Sequence, residues 1–244
     1  MSTIITSAGP QIEYPDCDGE PMSDNTLQFQ WIMKIQGGCD ALFASDPHVF
    51  VAGDLLWYPV QGDSVIRTAP DTMVVFGRPK GRRGSYQQWE ESGIPPTVVF
   101  EVLSPGNRAG AMAKKFDFYQ QYGVEEYYIY DPDDNELIGY LRKAGRLQKI
   151  PQVEGWTSPR LGVRFELASG EFKIIRPDGR PFTTFVETTE WAEQEHAIAE
   201  QERAKAEQER AKAEQERAKA QQAQARAEQL AAKLRALGID PDSP

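Results

Sequence analysis

The segment AEQERAK begins at residues 199, 206 and 213 and then loosens into AQQAQAR and AEQLAAK. A seven-residue period written in strong helix formers admits one regular structure, a long helix, which the spacing predicts over 190–237. Glu202 with Lys205, and Lys205 with Glu209, stand three or four residues apart and lace the surface with charge pairs worth a few tenths of a kcal/mol each. Alternating steps of four and three back from Leu237 give Leu234, Leu230, Ala227, Ala223, Ala220, Glu216, Ala213, Glu209 and Ala206, a seam that is apolar only at its C-terminal end. The expectation is a solvated helix that pairs weakly with a second copy of itself as a homodimer, rather than a strong coiled coil. Gly238, Ile239 and Pro241 supply a stop, and 239–244 is expected to be disordered.

Everything else must fold within 1–189. The chain's 244 residues carry 37 acids and 27 bases, net −10. The tail from residue 190 holds 12 acids and 9 bases, which leaves the body 25 against 18. The body therefore lacks a global basic field, and any nucleic-acid contact must come from a local patch. No run approaches the roughly 18 apolar residues of a membrane span. The start, MSTIITSAGPQIEYPD, has neither the charged nor the apolar region of a signal peptide, so a cytoplasmic protein without membrane segments is expected. Cys17 and Cys39 are expected to be reduced, and two scattered His with two Cys argue against a zinc site.

The body reads as short strands with helices between them. HVFVAGDLLWYPV (48–60), DTMVVFG (71–77), TVVFEVLS (97–104) and EYYIYDP (126–132) are rich in β-branched and aromatic residues and bounded by Gly or Pro. ELIGYLR, GRLQKI and LGVRFEL are further strand candidates. One helix is predicted over 24–36 with Ser23 or Asp24 as its cap. A second is predicted over 108–122, after SPGN and before Gly123. This order predicts an α/β fold, a mixed sheet flanked by helices. Trp57, Tyr58, Trp89 and Trp156 read as core or interface aromatics.

Most site motifs are missing: there is no GxSxG elbow, and GRPKGRRG (77–84) lacks the Gly-Lys-Ser/Thr ending of a phosphate loop. What remains is a pair of acids in costly places. Glu101 interrupts the apolar run Val98-Val99-Phe100-Glu101-Val102-Leu103, where a carboxylate must be paired or bound to a cation. A salt bridge to an arginine at a strand end would satisfy it equally. Asp71 opens another apolar strand; Pro-Asp also occurs at 15, 132, 177 and 241, but only Pro70-Asp71 leads into such a strand. Two carboxylates on neighbouring strands suit a hard divalent cation. On a wheel centred on Phe116, Met112 falls at about −40°, Tyr119 at about −60° and Lys115 at about −100°, while Lys114 lies near ~160°. Lys115 can thus reach the sheet, and Lys114 points away. Asp54 is expected either near the site or in a turn.

Pro70-Asp71, then Val99-Phe100-Glu101-Val102-Leu103-Ser104-Pro105, then Lys115 four residues before Tyr119, then Tyr122-Gly123-Val124-Glu125-Glu126-Tyr127-Tyr128-Ile129-Tyr130-Asp131-Pro132, resemble the Uma-type restriction endonucleases common in cyanobacteria, within the PD-(D/E)XK nuclease superfamily. The likeness covers about 20–185. It implies a restriction-endonuclease-like core with a long C-terminal helix appended. It also implies Mg²⁺ (or Mn²⁺) on Asp71, Glu101 and the carbonyl of Val102, with Lys115 as the catalytic lysine acting on DNA phosphodiesters. Two departures stand out: the superfamily's lysine two residues after the glutamate is Leu103 here, and the position four before Lys115, often acidic in relatives, is Ala111. Arg78, Lys80, Arg82 and Arg83, in the loop between the two acid-bearing strands, are the candidate DNA contacts. The alternative is a nuclease-fold interaction protein with weak or lost cleavage, whose C-terminal helix recruits partners.

Overall fold

The computed structural model describes residues 12–17, 19, 22–105, 110–167 and 170–236. The predicted start of the second helix at Arg108, Leu237 of the seam, the stop at Gly238 and the 239–244 terminus lie outside them. In chain order the elements are α1 (Thr26–Leu42), β1 (Val49–Ala52), β2 (Trp57–Tyr58), β3 (Thr72–Phe76), β4 (Tyr86–Gln87), β5 (Val98–Val102), α2 (Gly110–Tyr122), β6 (Glu126–Asp131), β7 (Glu136–Lys143), β8 (Arg146–Lys149), β9 (Arg164–Glu166), β10 (Lys173–Ile175) and α3 (Phe185–Ala236).

Six strands form a mixed sheet in the order β1-β3-β5-β6-β7-β8. Only β5 and β6 run parallel; every other neighbouring pair is antiparallel. A parallel pair needs a crossover, and α2 supplies it. The two central strands are buried along their whole length, which is why their sequences are nearly continuous in apolar and aromatic residues rather than alternating. Two short pairs flank the sheet, β2 with β4 and β9 with β10. β4 and β10 were not legible as strands, because two or three residues carry no periodicity.

The two faces of the sheet bury different helices. Ile32, Ile35 and Cys39 of α1 pack with Val98, Phe100 and Val102. Met112 and Tyr119 of α2 pack with Val99 and Tyr127. The period of two therefore turns Glu101 toward α2. A Cβ at Gly38 would come within 2.1 Å of the Phe182 ring, so α1 seats this close to the 182 segment only with glycine there.

Caps fix both helices. Asn25, not Ser23 or Asp24, caps α1: its Oδ1 accepts from the Gln28 N–H at 2.8 Å. Gly123 ends α2 in the left-handed region at φ +97°. The Arg142 guanidinium of β7 then donates to the carbonyls of Val124 at 2.7 Å, Gln120 at 2.9 Å and Tyr119 at 3.0 Å. The Tyr119 carbonyl also accepts the Val124 N–H at 3.2 Å, and with these bonds β7 anchors the end of α2 that bears Tyr119.

The chain divides into two compact units, 1–185 and 186–244. The C-terminal helix starts at Phe185, five residues before the predicted start. None of its described residues is buried; Trp191, Ile198 and Leu230 are 45%, 58% and 56% exposed. No helix among the described residues is long and apolar enough to cross a membrane.

Candidate active site

The site begins where two strands part. The β3–β5 pairing ends at Thr72 opposite Phe100, so the next backbone groups on that edge, those of Val102, have no strand to bond. Asp71 lies immediately before β3 and its Oδ2 accepts the Val102 N–H at 2.6 Å. The Val102 carbonyl accepts from the Gln28 side-chain amide at 2.8 Å. The aspartate thus substitutes for a strand partner and is held at the end of β5, next to Glu101.

Glu101 is 1% exposed and both of its oxygens are engaged by α2. Oε2 accepts from Lys115 Nζ at 2.6 Å and Oε1 from the Tyr119 hydroxyl at 2.5 Å. Lys115 and Tyr119 are one helical turn apart, which puts both donors on one face. Lys115 Nζ also donates to the Ala69 carbonyl at 3.2 Å, tying α2 to the segment before Asp71. Lys114 is exposed, as the wheel predicts. The cation paired with Glu101 is Lys115 of α2, not an arginine.

Electrostatics distinguish the groups. Burial pushes the Asp71 carboxyl well above its ordinary value, and the neighbouring Glu101 charge pushes it further; Lys115 and the Val102 N–H act in the opposite direction. Burial would lower the Lys115 ammonium, but Glu101 and Asp71 outweigh it, so its value is raised and it stays charged at neutral pH. Burial and the Glu101 charge also raise the Tyr119 hydroxyl, which stays protonated and donating. Asp54, with φ +48°, is exposed, and its N–H donates to the Pro70 carbonyl at 3.1 Å. Its carboxylate acts on both Asp71 and Lys115, so it combines the turn role with a place beside the site.

The basic loop is engaged differently from the expectation. Arg78 Nε and Arg83 Nε donate to the two oxygens of the buried Glu91 at 2.7 and 2.6 Å. The Arg83 guanidinium also lies 3.8 Å from the centre of the Phe50 ring. Lys80 pairs with Asp40 at 3.2 Å, and Arg82 is exposed. Two of the four side chains expected to face DNA therefore hold the loop together instead. Trp57 and Tyr58 are core residues, Trp89 packs against Tyr14 with the rings tilted by 53°, and Trp156 donates to the Tyr128 hydroxyl.

Among the described residues no three His, Cys, Asp or Glu side chains converge as a metal cage. The candidate donors are instead two carboxylates and a carbonyl, all oxygen, a type of set that suits a hard cation retaining several waters. With both ionised, Asp71 and Glu101 would set two negative charges against one on Lys115, and the raised Asp71 value reflects the cost of that excess, which a divalent cation would reverse. The residues present fit such an ion. The candidates Asp71, Glu101, Lys115 and Val102 named from the sequence lie together, whereas Gln28, 74 residues from its partner, has no motif linking the two.

The family described as putative restriction endonuclease, Uma2, matches residues 8–170. No curated protein matches the chain. Among solved structures, a putative nuclease belonging to DUF820 from Anabaena variabilis ATCC 29413 is similar at 14% identity and a TM-score of 0.42, over 55% of this chain and 72% of that one. With two thirds of its length matched by one family, the chain belongs to the Uma2 family of putative restriction endonucleases.

Proposed function

We propose that this protein is a divalent-metal-dependent endonuclease that hydrolyses DNA phosphodiesters. The observation that supports the reading best is the convergence of Asp71, Glu101 and Lys115 where β3 and β5 part, with more buried negative charge than the protein itself neutralises. Asp71, Glu101 and the Val102 carbonyl would hold Mg²⁺ or Mn²⁺. Bound there, the ion supplies a more acidic water and offsets charge on the phosphate.

The chain's own groups have separable roles. Lys115 keeps its proton, so it serves as a positioned positive charge and donor toward a phosphate oxygen or an attacking water, not as a general base. Tyr119 fixes the Glu101 carboxylate by its hydroxyl, leaving the remaining lone pairs on that carboxylate for the ion. Arg82 and, after release from Asp40, Lys80 are the DNA contacts; Arg78 and Arg83 shape the loop that carries them. With so few contacts on an acidic body, binding is salt-sensitive and gains from a second copy paired through α3. The protein acts in the cytoplasm.

The test is nicking of supercoiled plasmid with Mg²⁺ by the parent, Asp71→Ala and Lys115→Ala. The parent should nick and each variant should lose at least about 100-fold. Equal nicking by all three would overturn the assigned residues. A folded parent that never nicks would favour the interaction-protein reading.

A further inference from the structure

We propose that Gln28, on the first turn of α1, is a positioning residue for the metal site, an inference that rests on the metal reading above. Val102 is the residue whose backbone serves that site twice: its N–H holds Asp71 and its carbonyl is the third oxygen donor. It is also the point where the sheet stops supporting β5, because the β3 pairing has ended and only the following N–H, that of Leu103, still reaches β6, at the Tyr130 carbonyl. The Val102 carbonyl shares its peptide plane with the Leu103 N–H, so β6 holds one side of that plane, and without a donor on the other side the plane could tilt and turn the carbonyl away from the site.

Gln28 prevents this. It is 3% exposed, and its amide is engaged at both ends. Nε2 donates to the Val102 carbonyl at 2.8 Å, and Oε1 accepts the backbone N–H of Asp24, also at 2.8 Å. The two contacts admit only one orientation of the amide, since the flipped form would set oxygen against oxygen and N–H against N–H. The Gln28 backbone is pinned in turn by Asn25, and the Asp24 carboxylate accepts from Ser104, two residues beyond Val102. The start of α1 thus grips the end of β5 at two points, Val102 and Ser104. A carbonyl oxygen has two lone pairs, so one held by Gln28 leaves the other for a cation and fixes its direction. Groups one step behind a metal's ligands commonly contribute ten- to a hundredfold to its affinity.

The test compares the full-length parent with Gln28→Met, which fills the same space without the amide, and with Ile35→Val, a control that loosens α1 against the sheet but removes no hydrogen bond to Val102. Mn²⁺ affinity is read by calorimetry. Gln28→Met should weaken Mn²⁺ binding about tenfold, and the Mn²⁺ concentration for half-maximal nicking should rise in step. The turnover at saturating Mn²⁺ should stay within about twofold, and Ile35→Val should bind Mn²⁺ like the parent. A folded Gln28→Met with the parent's affinity would overturn the proposal and leave the metal reading standing. A parent that binds no Mn²⁺ would overturn both. The parent alone offers a second measurement: the side-chain amide NMR signal of Gln28 should shift on Mg²⁺ titration and saturate with the binding curve, and an unmoved signal would equally overturn it.

Discussion

Glu91 and Glu101 are both buried glutamates, and the protein treats them in opposite ways. Glu91 faces two arginines, Arg78 and Arg83, and hydrogen bonds from Arg83 first, then Arg78, hold its carboxyl below the ordinary range in spite of burial. Glu101 shares one lysine with a second acid, Asp71, whose carboxyl is pushed up. A third buried glutamate, Glu126, accepts from the hydroxyls of Tyr128 and Ser158 and the Arg160 N–H, donors that offset only part of the burial raising its carboxyl. Carboxylates with a structural task are closed by their own partners. The pair at the end of β5 is left short of positive charge, and that shortage separates a binding site from a buried ion pair.

The largest effect should come from the closed cluster. Glu91→Ala leaves Arg78 and Arg83 partly buried with their main acceptor gone and should destabilise the protein by about 3 kcal/mol in urea unfolding. A loss below ~1 kcal/mol would mean the loop rearranges freely and the contrast is false. Tyr119→Phe removes a fully buried donor to a charged carboxylate and should cost about 1.5 kcal/mol by the same measurement.

Asp71→Asn should have the opposite sign. It keeps an oxygen for the Val102 N–H but removes the excess charge, so the metal-free variant should melt a few degrees above the parent, about 2–4 °C per kcal/mol. The pH dependence follows from the direction of the shift. A group with a raised folded value binds its proton more tightly in the native state, so its contribution is fully present below the ordinary aspartate value of 3.8 and is lost as pH rises through the raised one. The advantage of Asp71→Asn should therefore be small at pH 4 and grow toward neutrality. Glu91 works in reverse, its contribution present above the ordinary glutamate range and lost as pH falls through the lowered value. A constant offset between parent and Asp71→Asn from pH 4 to 8 would contradict the assigned strain.

The smallest effect on stability should come from the other unit. Removing 190–244 deletes residues that are almost all exposed, so the melting of the body should move by less than about 1 °C. The mass in light scattering should fall from dimer to monomer; an unchanged mass would contradict pairing through α3.

The central strands and both body helices were legible because β-branched runs, Gly boundaries and the Met112–Phe116–Tyr119 stripe are local signals. The juxtaposition of Asp71, Glu101 and Lys115 was legible for a related reason: an acid inside an apolar strand needs a partner, and the wheel selected which lysine could supply it. Glu91 was invisible, since WEESG reads as a loop and nothing local says that two arginines fold back onto it. The same holds for Gln28, whose task is set by where β3 stops pairing with β5, a property of the register rather than of any segment.

The most direct test of the charge-deficient site is Mn²⁺ calorimetry on the metal-free parent beside Asp71→Asn. One ion per chain for the parent and no measurable binding for the folded variant is the predicted result. Equal binding by both, or none by either, would contradict it.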